Sequence, residues 1–144
     1  MFDVVILSGG FDPVHIGHVK MVQAASEIGH SVIVGVNSDA WLTRKKGKAF
    51  MPFHERLYIM QSLKGVTEAV GFDDSDNSAC ALIEKVRSAQ GQEVKIAFAN
   101  GGDRSRDNIP EVQACLDNQV DMVWNVGGGK IQSSSDLIKN SQNS

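Results

Sequence analysis

Ser8-Gly9-Gly10-Phe11-Asp12-Pro13-Val14-His15-Ile16-Gly17-His18 decides how the rest of this chain is read. It follows an apolar run, Val4-Val5-Ile6-Leu7, and precedes an amphipathic one. An apolar run that stops at a glycine pair reads as a buried strand ending in a loop. His15 and His18, with Gly17 between them, fall on one face of a first helical turn. The glycine pair lets backbone come close to a ligand. A helix N-terminus favours anions, through its free N–H groups and its dipole. Two imidazoles added there make a phosphate-handling site. The plainer alternative is a strand–loop–helix turn whose histidines only cap or pack.

Outward from this stretch, strand and helix patterns alternate. His15–Ile28 carries Val19, Val22, Ala25 and Ile28 at helical spacing and stops at Gly29. Ser31–Val36 reads as a second buried strand. Asn37-Ser38-Asp39 caps a short helix through Leu42, and Arg44–Pro52 reads as an irregular basic loop. Phe53–Leu63 is a helix with Leu57, Met60 and Leu63 inward. Glu68–Phe72 is a short strand, and Ser75–Ala89 a helix. Val94–Ala99 and Val120–Val126 are strands on either side of a helix from Ile109 to Leu116. A closing helix starts near Ser133. Such alternation implies right-handed crossovers and an α/β fold: a Rossmann-like doubly wound parallel sheet of about five strands, with helices on both faces. No composition break or repeat divides residues 1–144, so one domain is expected. In such sheets ligands sit at the carboxyl ends of the strands, where strand order reverses. Gly9-Gly10, Asn100-Gly101-Gly102-Asp103 and Gly127-Gly128-Gly129-Lys130 all lie at such ends.

Composition narrows the function classes. A net charge of −3 lacks the basic excess of a dedicated nucleic-acid binder. The length of 144 residues and 42% hydrophobic content suit a globular domain with a real core. Cys80 and Cys115 have no CxxC or Cys/His neighbours and read as buried thiols in a reducing cytosol. No apolar stretch approaches membrane-spanning length, and no basic segment precedes a long apolar one. A cytoplasmic protein without a membrane partner is therefore expected. The first glycine loop has no GxGxxG. Gly127–Lys130 is only faintly like a P-loop, since Ile131 follows the lysine and Trp124 stands where the first glycine belongs.

Gly10-Phe11-Asp12 followed by His15-Ile16-Gly17-His18 resembles the HxGH nucleotidylyltransferase superfamily, which includes cytidylyltransferases and adenylyltransferases. Lys130-Ile131-Gln132-Ser133-Ser134-Ser135 resembles its C-terminal hydroxyl motif, with Gln132 where isoleucine is usual. Arg44-Lys45-Lys46-Gly47-Lys48, followed by His54-Glu55-Arg56, is similar to its mobile basic loop and Glu-Arg helix. Phe98-Ala99-Asn100-Gly101-Gly102-Asp103 resembles a segment of the heptose-phosphate adenylyltransferases, with Asn100 in place of a lysine. An HxGH tetrad also occurs in class I aminoacyl-tRNA synthetases, but the KMSKS-type loop of that class is lacking.

The resemblance implies transfer of NMP from an NTP, ATP or CTP, onto a small sugar phosphate or polyol phosphate, with release of pyrophosphate. His15, His18 and Lys46 are then catalytic, Lys46 bridging the acceptor phosphate and the α-phosphate, with Lys48 the second choice. Gly9, Gly10, Phe11, Asp12, Gly101, Asp103, Gln132, Ser133, Ser134 and Ser135 bind the nucleotide. Lys46 and Arg56 serve the substrate side, although Arg56 also fits a surface salt bridge. Mg²⁺ accompanies the NTP, since it prefers phosphate oxygens and waters. Asp12 or Asp103 could reach it through water, but no carboxylate cluster marks a dedicated metal site. A homodimer is a family expectation. The alternative from another class is a non-catalytic nucleotide-binding sensor or regulatory module of the same fold.

Overall fold

The structure, a computed structural model, describes residues 1–100, 109–124, 126–127 and 132–133. Six strands form one sheet in the order β3-β2-β1-β4-β5-β6. They are β1 (Phe2–Gly9), β2 (Gly29–Val36), β3 (Glu68–Gly71), β4 (Ile96–Ala99), β5 (Asp121–Trp124) and β6 (Gln132–Ser133). The helices are α1 (Ile16–Ile28), α2 (Asp39–Lys46), α3 (Phe53–Ser62), α4 (Cys80–Gln90) and α5 (Ile109–Asp117). β1 to β5 pair in parallel, and β6 is antiparallel to β5. The parallel sheet expected from the strand–helix alternation is therefore present, with one short antiparallel edge added. No helix among the described residues is long and apolar enough to cross a membrane.

β1 lies in the middle because both of its faces are apolar. Val4 and Ile6 point into a core built with Leu82, Ile83 and Val86 of α4 and with Ala114 and Cys115 of α5. Val5 and Leu7 point into the opposite core, with Val22 and Ala25 of α1 and Met60 of α3. A strand buried on both faces must read as an unbroken apolar run, which is what Val4–Leu7 is. Strand order reverses between β2 and β4 on either side of β1, which places the crevice above Gly9 and Gly10.

Several boundaries differ from the sequence reading, each for a local reason. α2 continues through Arg44, Lys45 and Lys46, where a basic loop was expected. Cations at a helix C-terminus meet the negative end of its dipole. Gly47 then closes the helix in the left-handed region, φ 96°, with its N–H on the Thr43 carbonyl. α4 starts at Cys80 rather than Ser75. Asp73 and Asp76 accept hydrogen bonds from the Ser75 and Ser78 N–H groups at 3.0 and 2.9 Å, local turns that compete with helix. β2 starts at Gly29, which is extended and paired with Phe2, so α1 runs straight into it. At Gln132 and Ser133 the chain pairs with β5 as strand, where the closing helix was expected to begin. The rest of that expected helix lies outside the described residues.

At the end of the sheet opposite the crevice, Arg87 is 3% exposed and faces only carbonyls. Its Nη1 donates to Gly91 and Val94 at 2.7 Å, and its Nε and Nη2 to Asn118 and Gln119 at 2.9 Å. The guanidinium thus ties the end of α4 to the turn between α5 and β5. Replacing it leaves buried acceptors unpaired. Arg87→Met is expected to lower unfolding free energy by about 3 kcal/mol or more in urea titrations, the sum of several such penalties. Arg87→Lys should recover only part of the loss, because a point charge cannot span a planar fork of carbonyls.

Candidate active site

The site is built on the loop that leaves β1. Phe11 sits in the left-handed region at φ 52°, where a bulky residue is strained. The conformation is held because the ring is buried, 2% exposed, with Gly9 against it and His18 edge-on at 4.9 Å. The chain then turns so that His15 becomes the N-cap of α1.

The two histidines organise each other. His15 Nδ1 accepts the Gly17 N–H at 3.1 Å, and His18 Nδ1 accepts the His15 N–H at 3.2 Å. A ring nitrogen that accepts is unprotonated, so each neutral imidazole carries its proton on Nε2. Both rings are thereby left with one outward donor. They stack at 3.8 Å between centroids with 28° between planes. Gly17 is required by this arrangement: a Cβ there would lie 2.9 Å from His15 Cε1. The first-turn N–H groups of Gly17 and His18 are taken by His15 itself. The anion donors of this helix end are therefore the imidazoles more than the backbone, a shift from the sequence expectation.

Asp12 has a different task from the one expected. Its side chain is 1% exposed and lies 2.9 Å from Lys46 Nζ. Its carboxylate also accepts the Phe50 and Met51 N–H groups, both at 2.6 Å. Lys46 Nζ donates as well to the Asp12 carbonyl at 2.7 Å. Burial works against the charge, but Lys46 and the two N–H donors outweigh it and hold the carboxyl below its ordinary 3.8. With both oxygens accepting, the Asp12 side chain organises the segment after α2 and holds Lys46 in place.

Arg56 is likewise beneath the site. It is 0% exposed. Nη1 donates to the Gly10 and Asn37 carbonyls at 2.8 and 2.7 Å, Nε to Met51 at 2.9 Å, and Nη2 to Asp39 Oδ1 at 2.6 Å. The guanidinium joins the ends of β1 and β2, the start of α2 and the segment before α3. It has no surface left for a substrate, which corrects its assignment to substrate binding; the salt bridge of the alternative is present, to the half-exposed Asp39, but the guanidinium itself is buried rather than at the surface.

The open part of the site is a cleft of about 400 Å³ lined by Gly10, Asp12, Pro13, His15, His18, Trp41, Leu42, Lys45 and Lys46. Thus Gly10, His15, His18 and Lys46 come together as expected. Gly9 and Phe11 support the cleft from below. Lys48 is exposed and is not part of the lining. Trp41 and Lys45 were missed. They become visible once α2 is drawn through Lys46, since positions four apart then share a face. Gly101, Asp103, Ser134 and Ser135 lie outside the described residues, and of Gln132 and Ser133 only the strand pairing is described. Asn100 closes β4, and its side-chain Nδ2 is buried with no partner among the described residues.

Residues 6–138 match the family described as cytidylyltransferase-like. The chain belongs to that family. It is 33% identical over 129 residues to the bifunctional protein HldE of Geobacter sulfurreducens, covering 87% of this chain and 24% of that protein. To the bifunctional protein HldE of a Nitratiruptor species it is 44% identical over 73 residues, covering 49% of this chain and 16% of that protein. The matches thus span only 16% to 24% of the length of these two relatives. The fold is also that of the lipopolysaccharide core biosynthesis protein of Thermoplasma volcanium, with a TM-score of 0.65 and 23% identity, over 86% of this chain and 96% of that one. A bifunctional NMN adenylyltransferase/ADP ribose pyrophosphatase from Francisella tularensis shares it at a TM-score of 0.61 and 16% identity, over 99% of this chain and 42% of that one.

In this cytidylyltransferase-like chain the histidine pair has a testable electrostatic signature. Burial, and then the neighbouring His15, lower the His18 pKa below its ordinary 6.5. Between that folded value and 6.5 the unfolded chain binds more protons than the native one. Stability is therefore lost as pH falls through this window. Protonation would also take His18 Nδ1 away from the His15 N–H. In histidine-resolved NMR titrations, His15→Gln is expected to raise the His18 pKa towards 6.5 by removing the second of these two causes. An unchanged or lower value would contradict the coupling.

Proposed function

We propose that this chain transfers a nucleotidyl group from an NTP, ATP or CTP, to the phosphate of a small sugar phosphate or polyol phosphate. An acceptor phosphate oxygen forms the new bond to the α-phosphorus. The bond from that phosphorus to the bridging oxygen of the β-phosphate breaks, and pyrophosphate leaves with its electron pair. No covalent intermediate with the protein is needed, so catalysis is positioning and charge stabilisation. The single observation that carries this reading is the pairing of the two imidazoles through Nδ1, which leaves two Nε2–H donors beside Lys46 at one cleft.

Neutral imidazoles suit this role. They donate to phosphate oxygens without needing to be cationic, and negative charge that develops at the α- and β-phosphates strengthens the bonds. Lys46 starts on Asp12 and exchanges that carboxylate for the acceptor and α-phosphate oxygens when both substrates are present. Two anionic substrates brought together repel, and a shared ammonium offsets the repulsion. The described residues contain no group of three carboxylate, histidine or cysteine side chains able to hold a metal ion, and without substrates Asp12 is paired with Lys46. Mg²⁺ in this reading arrives on the triphosphate and is held by its oxygens. It supplies charge neutralisation there, and no protein side chain described here is assigned to it.

The test combines calorimetric NTP binding with pyrophosphate release. His18→Ala should lower kcat about a hundred- to a thousand-fold, the usual cost of one charge-stabilising donor, while NTP affinity changes far less. Lys46→Ala should also abolish most turnover, and Lys48→Ala should keep it within about twofold, as for a solvated surface lysine. NTP binding with no pyrophosphate release from wild type, across a panel of acceptors, would favour the regulatory-module reading instead.

A further inference from the structure

Lys46 reaches the cleft from the last turn of α2, so its position depends on how that helix is held. Packing does little of the holding. Leu42 is the only buried residue of the eight, and Thr43 through Lys46 are exposed. Helices in proteins are ordinarily fixed by an apolar face several residues wide. A short helix with one apolar anchor takes its direction from its polar ties.

Asp74, in the turn after β3, supplies ties to both halves of α2. Its carboxylate serves the N-terminal half: Oδ2 accepts the Ser38 N–H at 2.7 Å and Asn37 Nδ2 at 3.0 Å, and Oδ1 accepts the Ser38 hydroxyl at 2.7 Å. That hydroxyl oxygen in turn accepts the Trp41 N–H at 3.0 Å as the cap of α2. The Asp74 carbonyl serves the second half, accepting Arg44 Nη2 at 2.8 Å, while Arg44 Nε donates to Asn77 Oδ1 at 3.0 Å. Asp74 is 4% exposed. Burial works against its charge, but the Ser38 and Asn37 donors and the nearby Arg44 outweigh it and hold the carboxyl below its ordinary 3.8.

The turn that carries Asp74 is itself fixed to the body of the protein. Asn77, at φ 64°, donates its N–H to the Asp74 carbonyl at 2.9 Å. Ser78 and Ala79 behind it are buried, and the Ala79 N–H is held by Glu111 Oε1 of α5 at 3.0 Å. The other ties of α2 are weaker guides. The Asp39–Arg56 pair holds its first residue only. The bonds of Lys46 to Asp12 are the ones it gives up when it turns to phosphate oxygens. At that moment the hold on the second half of the helix is the one from Asp74 to Arg44.

We propose that Asp74 is the positioning residue for Lys46: bound to both halves of α2, it aims the lysine at the phosphates without itself touching a substrate. The inference rests on the transferase reading above.

The experiment measures pyrophosphate release in a single turnover with excess full-length protein, using ATP and CTP against glycerol 3-phosphate and glucose 1-phosphate. Asp74→Ala should slow this step about a hundredfold, the scale of a misplaced catalytic group, while calorimetric NTP affinity stays within about twofold. Asp74→Asn should remain within about threefold of wild type. Its amide oxygen still accepts from Ser38 and Asn37, and its NH₂ donates to the Ser38 hydroxyl oxygen. In a Lys46→Ala background Asp74→Ala should slow the step by less than about threefold more, because a lysine that is absent cannot be misaimed. A wild-type rate in Asp74→Ala, no rescue by Asp74→Asn, or equal losses in both backgrounds overturns the proposal and leaves the transferase reading standing. Should Asp74→Ala fail to fold, Arg44→Met takes its place, with an expected loss of about tenfold and the same dependence on Lys46. If wild type releases no pyrophosphate with any pair, the transferase reading fails. The hold of Asp74 on α2 is then judged by amide hydrogen exchange. Exchange across residues 39–46 that is about tenfold faster in Asp74→Ala or Arg44→Met, with α4 unchanged, upholds it, and unchanged exchange there overturns it.

Discussion

The buried guanidinium of Arg56 is the constraint on which the candidate site depends. A cation stripped of water must be met by acceptors, or it destabilises the fold. Here three carbonyls and one carboxylate meet it, from Gly10, Asn37, Met51 and Asp39. They come from three stretches of chain: the loop after β1, the junction of β2 and α2, and the segment before α3. The planar fork fixes the directions of these bonds, so the segments cannot shift independently. The Met51 carbonyl is bound to Arg56, the Met51 N–H to Asp12, and the Asp12 carboxylate to Lys46. The position of the lysine in the cleft is thus set through two relays from a residue that never touches the cleft.

The two ends of the sheet use arginine in parallel ways for different ends. Arg87 closes the far end with four carbonyls and no carboxylate. Arg56 closes the near end and leaves open space above it. Where the loops are short and tied, as at Gly9 and Asn37, the Asn37 N–H also bonds the Gly9 carbonyl at 2.9 Å. The β4 and β5 ends are joined similarly, through Asn100 N–H to Val123 at 2.8 Å and Val126 N–H to Asn100 at 2.9 Å. A rigid rim of this kind lets side chains act with little loss of conformational freedom on binding.

Charge in the cleft is arranged to be exchanged. The imidazoles give Nδ1 to the helix cap, and burial, then the neighbouring His15, lower the His18 pKa. Lys46 is 41% exposed and rests on an aspartate that is itself buried. An ammonium parked on a carboxylate is stable without ligand, yet phosphate oxygens arriving in greater number compete for it. The same pairing orders the segment at Phe50 and Met51 before any ligand binds.

Much of this was legible in the chain itself. The apolar run of β1, the helical spacing through Ala25, the Ser38 cap and the alternation of strand and helix are local patterns with local causes, and they specify a parallel α/β sheet. The histidine spacing and the glycine between also belong to one turn, so the imidazole pair could be read from residues 15–18 alone. The fates of Asp12, Arg44, Lys46 and Arg56 could not. Their partners are far off in sequence: Arg56 meets Gly10 across 46 positions, and Asp12 meets Met51 across 39. A charged residue on a helix looks the same in sequence whether it faces water or a buried loop. Only the sheet order, which brings the ends of β1 and β2 together above α3, decides that Arg56 is buried and Lys46 is left at the cleft. Helix and strand follow from short-range sterics and periodic burial, whereas a polar side chain's role is set by which acceptors the tertiary fold removes from water beside it.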